Sequence, residues 1–284
     1  MSARINRWIL ARLGTVMANV NQAFDVFRFD DSTLALYHFF WGELCDWYLE
    51  LTKPVFAGDD EALKAETRLT LAYALRVSLE AIHPFMPFIT EELWQRIPKA
   101  QSSAPSVCIA PYPSLASGRP DPTAVQEMEL VKAVIGAARA VRSEREVHPG
   151  ASVPLTLRSD DPKLRALLDS ERTSIATLVK AEPITIEEPG GERPAGAALA
   201  VAEGVEVLVL LKGIVDGAKE AARIERQIAK TDKDIAAISK KLGAKGFVDR
   251  APAEVVEESR AQLAKAQARR KVLEEGLVLA AELN

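Results

Sequence analysis

From residue 221 to residue 280, apolar side chains recur at alternating steps of three and four. Ala221, Ile224, Ile228, Thr231, Ile235, Ile238 and Leu242 form one ladder, and Val256, Ser259, Leu263, Ala266, Arg270, Leu273, Leu277 and Ala280 form another. Such spacing writes an a/d seam along a helix. Gly243 and Gly246 end the first ladder, and Pro252 belongs at the start of the second helix, so the two ladders fold back on each other. The pattern predicts an antiparallel coiled-coil hairpin whose arms, at 1.5 Å per residue, reach about 35 to 40 Å. That is longer than a compact domain needs to close its own core.

The charges favour the same end of the chain. Residues 217–284 carry 14 Lys and Arg against 11 Asp and Glu, whereas the whole chain is acidic at −4. Lys240, Lys241, Lys245, Arg250, Arg260 and Lys265 gather toward the turn, where a polyanion feels their combined field. The alternative is a solvated helix surface with interspersed ion pairs.

At 284 residues, 48% hydrophobic and 27% charged, the chain has the composition of an ordinary water-soluble protein. No apolar run approaches the roughly 20 residues of a membrane span, and Met1-Ser-Ala-Arg-Ile-Asn-Arg-Trp8 is not a secretory leader, which makes the cytoplasm the expectation. Cys45 and Cys108 stand far apart with no His or Cys at ligand spacing from either, so neither a disulfide framework nor a zinc site is expected.

The remainder reads as two further blocks. Ile5, Ile9, Leu13, Val16, Val20 and Phe24 mark a helix over 4–27. A second helix, capped within Asp30-Asp31-Ser32, runs through Leu34, Tyr37, Trp41, Leu44, Tyr48 and Leu51 and closes at Lys53-Pro54. A third spans 60–82, and Thr90 is expected to cap a fourth. Four helices with short links make a bundle. Residues 98–123 form a proline-rich connector in which Val107-Cys-Ile109 is expected as a short strand, and a fifth helix follows over 122–146. From 151 to 213 the period switches: strands are expected at 153–157, 184–186, 197–201 and 205–211, around a helix at 162–180, making a small α+β module.

Lys240-Lys-Leu-Gly-Ala-Lys-Gly-Phe-Val-Asp-Arg-Ala-Pro-Ala-Glu-Val-Val256 resembles the arm tip of bacterial valyl-tRNA synthetases, with Gly243 where that family often has Asn or Ser. Gly and Asn both serve helix ends in the left-handed conformation. The likeness continues, in order, through Asn6-Arg-Trp-Ile-Leu-Ala-Arg-Leu13, Phe27-Arg-Phe29, Trp41 to Pro54, His83 to Trp94, and Arg139-x-x-Arg142-x-Glu144 ahead of Pro149-Gly150. Asn6, where the family commonly has Asp, is expected to cap a helix.

The resemblance implies the C-terminal portion of a class I aminoacyl-tRNA synthetase, a mainly α protein. Its parts are an anticodon-binding helical bundle over 1–150, a small α+β junction module over 151–213, and a coiled-coil tRNA-binding arm over 214–284. It implies binding of valine-specific tRNA, with catalytic and editing domains of the same enzyme as further partners, and with no membrane or DNA partner. ATP and magnesium are expected at the parent enzyme's catalytic domain and no cofactor or metal in this chain. The His-x-Gly-His and Lys-Met-Ser-Lys-Ser loops of that catalysis are missing; His148-Pro-Gly-Ala151 lacks the second histidine and follows a helix. Isoleucyl enzymes commonly end in a cysteine-rich zinc module, which two remote cysteines do not provide. A coiled-coil scaffold that docks a protein is the alternative from a different class.

Reading single-stranded RNA takes flat faces and cations. Trp8 with Arg4, Arg7 and Arg12 offers both on the bundle, and Arg139 and Arg142 stand one turn apart to clamp phosphates. The alternatives are that Trp8 packs between helices and that the two arginines pair with acids. Trp41, Trp47 and Tyr48 read as core, and His38, His83 and Asp46 as structural. No catalytic residue is expected.

Overall fold

The computed structural model describes residues 3–98, 104–114, 120–244 and 252–283. Most of these are helical, with one four-stranded sheet among them. The chain divides into two units, Met1–Ala133 with Leu167–Leu178, and Val134–Ala166 with Val179–Asn284.

The first unit is built on α1 (Arg4–Asp25), whose 3-4 ladder buries Ile5, Ile9, Leu13, Val16 and Val20. A long second helix opens as α2 (Phe29–Tyr37), passes through a π-helical segment (His38–Tyr48) and closes as α3 (Leu49–Ala57), with Pro54 inside it rather than ending it. The π segment overturns part of the expected core. The buried apolar residues of the long helix are Leu36, Phe39, Leu44, Tyr48 and Leu51, so within the π segment the step from Phe39 to Leu44 is five instead of four. A π turn holds more residues than an α turn, and counting back from Leu44 at α spacing therefore lands on the wrong face. Leu34, Tyr37 and Trp41 are exposed as a result, and Trp41 is not core. Tyr48 is, and its hydroxyl donates to Asn6 Oδ1 at 2.7 Å. Asn6 lies inside α1 and caps nothing; its amide donates to Glu66 and Thr67 across the core. Burial of Tyr48 pushes its phenol well above the usual range.

Asp60 caps α4 (Glu61–Ile82) through the Leu63 N–H. Next, α5 (Pro87–Arg96) begins three residues before the expected cap, because Pro87 suits a first turn that needs no N–H. Thr90 is buried within it and its hydroxyl donates to the Met86 carbonyl. Val107–Ile109 is a turn of 3₁₀ helix, not a strand: the Glu91 carboxylate accepts from Ser106 Oγ and from the Val107 N–H, which bends the backbone away from extension. The start of α6 (Pro122–Glu144), the end of α7 (Pro162–Ser170) and most of α8 (Arg172–Val179) complete this unit.

In the second unit β1 (Val153–Arg158), β2 (Ala181–Glu187), β3 (Ala197–Ala202) and β4 (Val205–Leu210) lie in the order β2-β1-β4-β3. The parallel β1–β2 pair needs a crossover, which α7 and α8 supply as two helices where one was expected. Leu155, Leu157, Val207 and Val209 are buried on one face of the sheet. Two long helices follow, α9 (Gly217–Leu242) and α10 (Ala253–Glu282), and they pack on each other. The seam holds along their length: Ile224, Thr231, Val256, Ser259 and Ala280 are buried, and Ile228, Ile235, Leu263 and Leu273 half-buried. Gly243 ends α9 in a right-handed conformation (φ −84°), not the left-handed one expected, with its N–H on the Ser239 carbonyl.

The base of this hairpin is tied down by charge. Glu220, almost fully buried, accepts from Arg223 at 2.7 Å and from Arg145 at 3.2 Å. Gly276 on α10 leaves the room: a Cβ there would stand 3.1 Å from the Arg145 guanidinium. Glu282 accepts from the Gly196 N–H and from Arg193. Gly196 is required at that point, since its φ is +76° and a Cβ would meet the Lys212 side chain at 2.9 Å.

Candidate nucleic-acid interface

The cations expected on the bundle are engaged within the protein. Arg4 pairs with Glu127 at 2.6 Å and with Glu171, and Arg12 forms a two-pronged pair with Glu43 at 2.6 and 2.7 Å. Arg7 reaches Asp121 at 3.2 Å. The carboxylate of Glu43 raises the Arg12 pKa further, so its charge is locked to that partner. Trp8 is 0% exposed and lies beneath the Lys132 ammonium, 5.2 Å from the ring centroid, so no base can stack on it in this conformation. Of the two arginines on α6, Arg142 is buried and donates to the carbonyls of Ala151 at 2.8 Å and His148 at 3.3 Å, and desolvation lowers its pKa. Arg139 is exposed. In this structure Trp8 thus packs inside the bundle and Arg4 and Arg12 pair with carboxylates, while Arg142 donates to backbone carbonyls rather than to an acid.

On the hairpin the same residue types stand in solvent. With Ile224, Ile228, Ile235, Val256 and Leu263 taken up in the seam, Lys240, Lys241, Arg260 and Lys265 project from the exposed faces of α9 and α10, as do Val272 and Val278. Among the described residues Arg260 has a loose contact with Glu257 at 3.7 Å, and Lys241 reaches the buried Ser259 hydroxyl at 3.3 Å. Lys240 and Lys265 have no ion pair among the described residues. Lys245 and Arg250 lie outside the described residues. An extended rod with cations on its outside matches a phosphate backbone in geometry and sign.

Over half of the chain, residues 6–157, matches the family described as the anticodon-binding domain of tRNA ligase. The chain belongs to that family. Residues 216–279, which cover the hairpin, match the valyl tRNA synthetase tRNA binding arm. Among individual relatives, a valine–tRNA ligase of Geobacter sulfurreducens is 40% identical over 268 residues, covering 94% of this chain and 30% of that protein. One from Carboxydothermus hydrogenoformans is 37% identical over 271 residues, and one from Caulobacter vibrioides 38% over 274, each with 30% of its length covered. The chain thus spans about 30% of the length of the curated relatives it matches. An anticodon-binding domain followed by a valyl-type arm is the architecture present, and neither an isoleucyl counterpart nor a protein-docking scaffold is favoured by these matches.

The anticodon-binding domain does expose flat aromatic faces, at positions that sequence reading left unassigned. Phe27 follows α1 with its backbone at φ +60° and is 79% exposed. The α1 terminus closes around it, with the Arg28 N–H on the Ala23 carbonyl and the Phe27 N–H on that of Phe24, a cap that normally takes glycine. A bulky residue held in the left-handed region costs about 1 kcal/mol or more. Phe29 stands edge-on at 6.3 Å, and Phe24 links this tip to Phe85 at 6.0 Å, just ahead of α5, whose first turn carries Phe88, 90% exposed. The available signal was placement: Phe27 and Phe88 flank turns and fall outside any buried helical stripe.

Proposed function

We propose that this chain is the tRNA-holding part of a valine–tRNA ligase. The bundle over residues 1–150 meets the anticodon region of valine-specific tRNA, the module over 151–213 joins it to the arm, and the arm over 214–284 braces the outer corner of the tRNA. Catalytic and editing domains elsewhere in the longer polypeptide then attach valine, using ATP and magnesium in the cytoplasm. The observation that carries this reading is the hairpin itself, because Lys240, Lys241, Arg260 and Lys265 stand exposed on helices whose Ile224, Ile228, Ile235 and Val256 are taken up in the seam.

On the bundle, Phe27 and Phe88 provide the stacking faces, since their rings are exposed while those of Trp8 and Tyr48 are not. Aromatic stacking reads unpaired bases and tolerates an acidic surround better than phosphate contact does. Arg139 on α6 is exposed and is assigned to a backbone phosphate. The chain carries none of the adenylation loops, so nothing in it is assigned to hold ATP, and the purified chain should not exchange pyrophosphate into ATP.

Filter binding tests the reading, with valine tRNA and a non-cognate tRNA titrated at several salt concentrations. Binding that favours valine tRNA and weakens steeply with salt is expected. Absence of binding at low salt would overturn it.

A further inference from the structure

The long second helix of the bundle is apolar on two sides. Leu36, Phe39, Leu44 and Tyr48 are buried on the side that packs against α1 and α4. Its outer side carries Leu34, Tyr37 and Trp41, each slightly more than half exposed, with Thr33, His38 and Cys45 between and beside them and no Lys or Arg among these positions. A surface helix normally turns charge outward, and one that is apolar on both sides belongs to an interior layer. The strip runs over two turns, about 10 Å along the axis, which is the length over which a crossing helix makes contact.

We propose that this strip is the seat of an additional amphipathic helix from the longer ligase polypeptide, making α2 and its π segment a central rather than a peripheral element of the bundle. The occupant follows from two observations. In the relatives about 70% of the polypeptide lies outside the matched stretch, so a covering segment of the same chain is at hand. The exposed residues repeat at helical spacing and mix an aliphatic side chain with two aromatic ones, the composition of a helix–helix contact. They are unlike the isolated ring of Phe27 at a turn. The proposal rests on the reading that the chain is part of a longer ligase and not on tRNA binding, so its failure is distinguishable from a failure to bind tRNA.

The test reads the accessibility of a thiol placed on the strip. In a background of Cys45→Ser and Cys108→Ser, Leu34→Cys is introduced into this chain. It is also introduced into a chimaera in which this chain replaces the matching 268 residues of the Geobacter sulfurreducens relative. Maleimide labelling should proceed at the rate of an exposed thiol in the isolated chain and slow about tenfold or more in the chimaera. Adding Trp41→Glu to the chimaera should restore the fast rate, because a carboxylate cannot be buried under an apolar helix without a partner. Equal rates in chain and chimaera would overturn the proposal. So would protection in the isolated chain that fades on dilution, which assigns the strip to a second copy, or protection that appears only when tRNA is added, which assigns it to RNA.

Discussion

The first helix of the bundle and the distal part of the arm use arginine and lysine in opposite ways. In the bundle Arg4, Arg7 and Arg12 are held by carboxylates, and Arg4 finds its partners 123 and 167 residues away. On the arm Lys240 and Lys265 stand exposed on a rod whose seam is filled by Ile224, Ile228, Ile235 and Val256. The difference teaches that a cation's role is settled by what the fold places opposite it. A compact bundle brings distant acids to its arginines. In the two-helix rod Arg270 reaches Asp232 on the facing helix at 2.6 Å, whereas Lys240 and Lys265 have no ion pair among the described residues.

The largest effect expected from breaking this contrast is in the bundle core. Trp8→Ala removes a fully buried ring and should cost about 3 to 5 kcal/mol in a denaturant melt. A loss of tRNA affinity with unchanged stability would instead restore Trp8 as a stacking surface. On the arm, Ile235→Asp places an uncompensated carboxylate in the seam and should melt the distal hairpin, seen as a loss of helical circular dichroism and of tRNA affinity together.

At the base of the arm, Glu220→Gln should cost on the order of 2 kcal/mol, less than for a fully buried pair because Arg145 and Arg223 keep some solvent. Acid titration sharpens the contrast. For Glu220, desolvation works against the charged form, but the hydrogen bonds from Arg223 and Arg145 win and lower its pKa. Its contribution is therefore complete above the ordinary value of 4.5 and is lost as the pH falls through the folded-state pKa. Glu80 in the bundle has the opposite sign: desolvation raises its pKa against the pull of Arg76, so folding gains as the pH drops toward 4.5. The stability difference between the parent chain and Glu220→Gln should thus shrink below pH 4.5. The corresponding Glu80→Gln difference should change already above that pH.

The smallest effect is also the most diagnostic for the bundle. Phe27→Gly relieves a left-handed backbone and should stabilise the fold by up to about 1 kcal/mol. The same change should weaken tRNA binding by about 1 to 3 kcal/mol. Stabilisation without any loss of affinity would leave the exposed ring without the role given to it.

The arm was legible in the sequence because each rung needs only one partner at a fixed period, and the ladder from Ile224 to Leu242 is buried or half-buried as its spacing dictates. The bundle was legible as helices but not in its facing. Trp41 was misplaced because the π segment breaks the period on which the reading depended. Trp8 is covered by Lys132 on a helix more than a hundred residues on, and Glu91 bends the Val107 segment from another element; neither pairing leaves a local mark. The exposed rings at Phe27 and Phe88 were hidden for the converse reason, since exposure shows only once the packed rings are known.

The most direct test of the central claim is the slope of log tRNA affinity against log salt, measured for the parent chain, for Lys240→Gln with Lys241→Gln and Lys265→Gln, and for Arg12→Gln. The arm variant should lose about 0.7 to 0.9 of slope for each phosphate contact removed. Arg12→Gln should melt earlier with its slope unchanged. A slope that flattens for Arg12→Gln and holds for the arm variant would show that the bundle, not the arm, grips the phosphates.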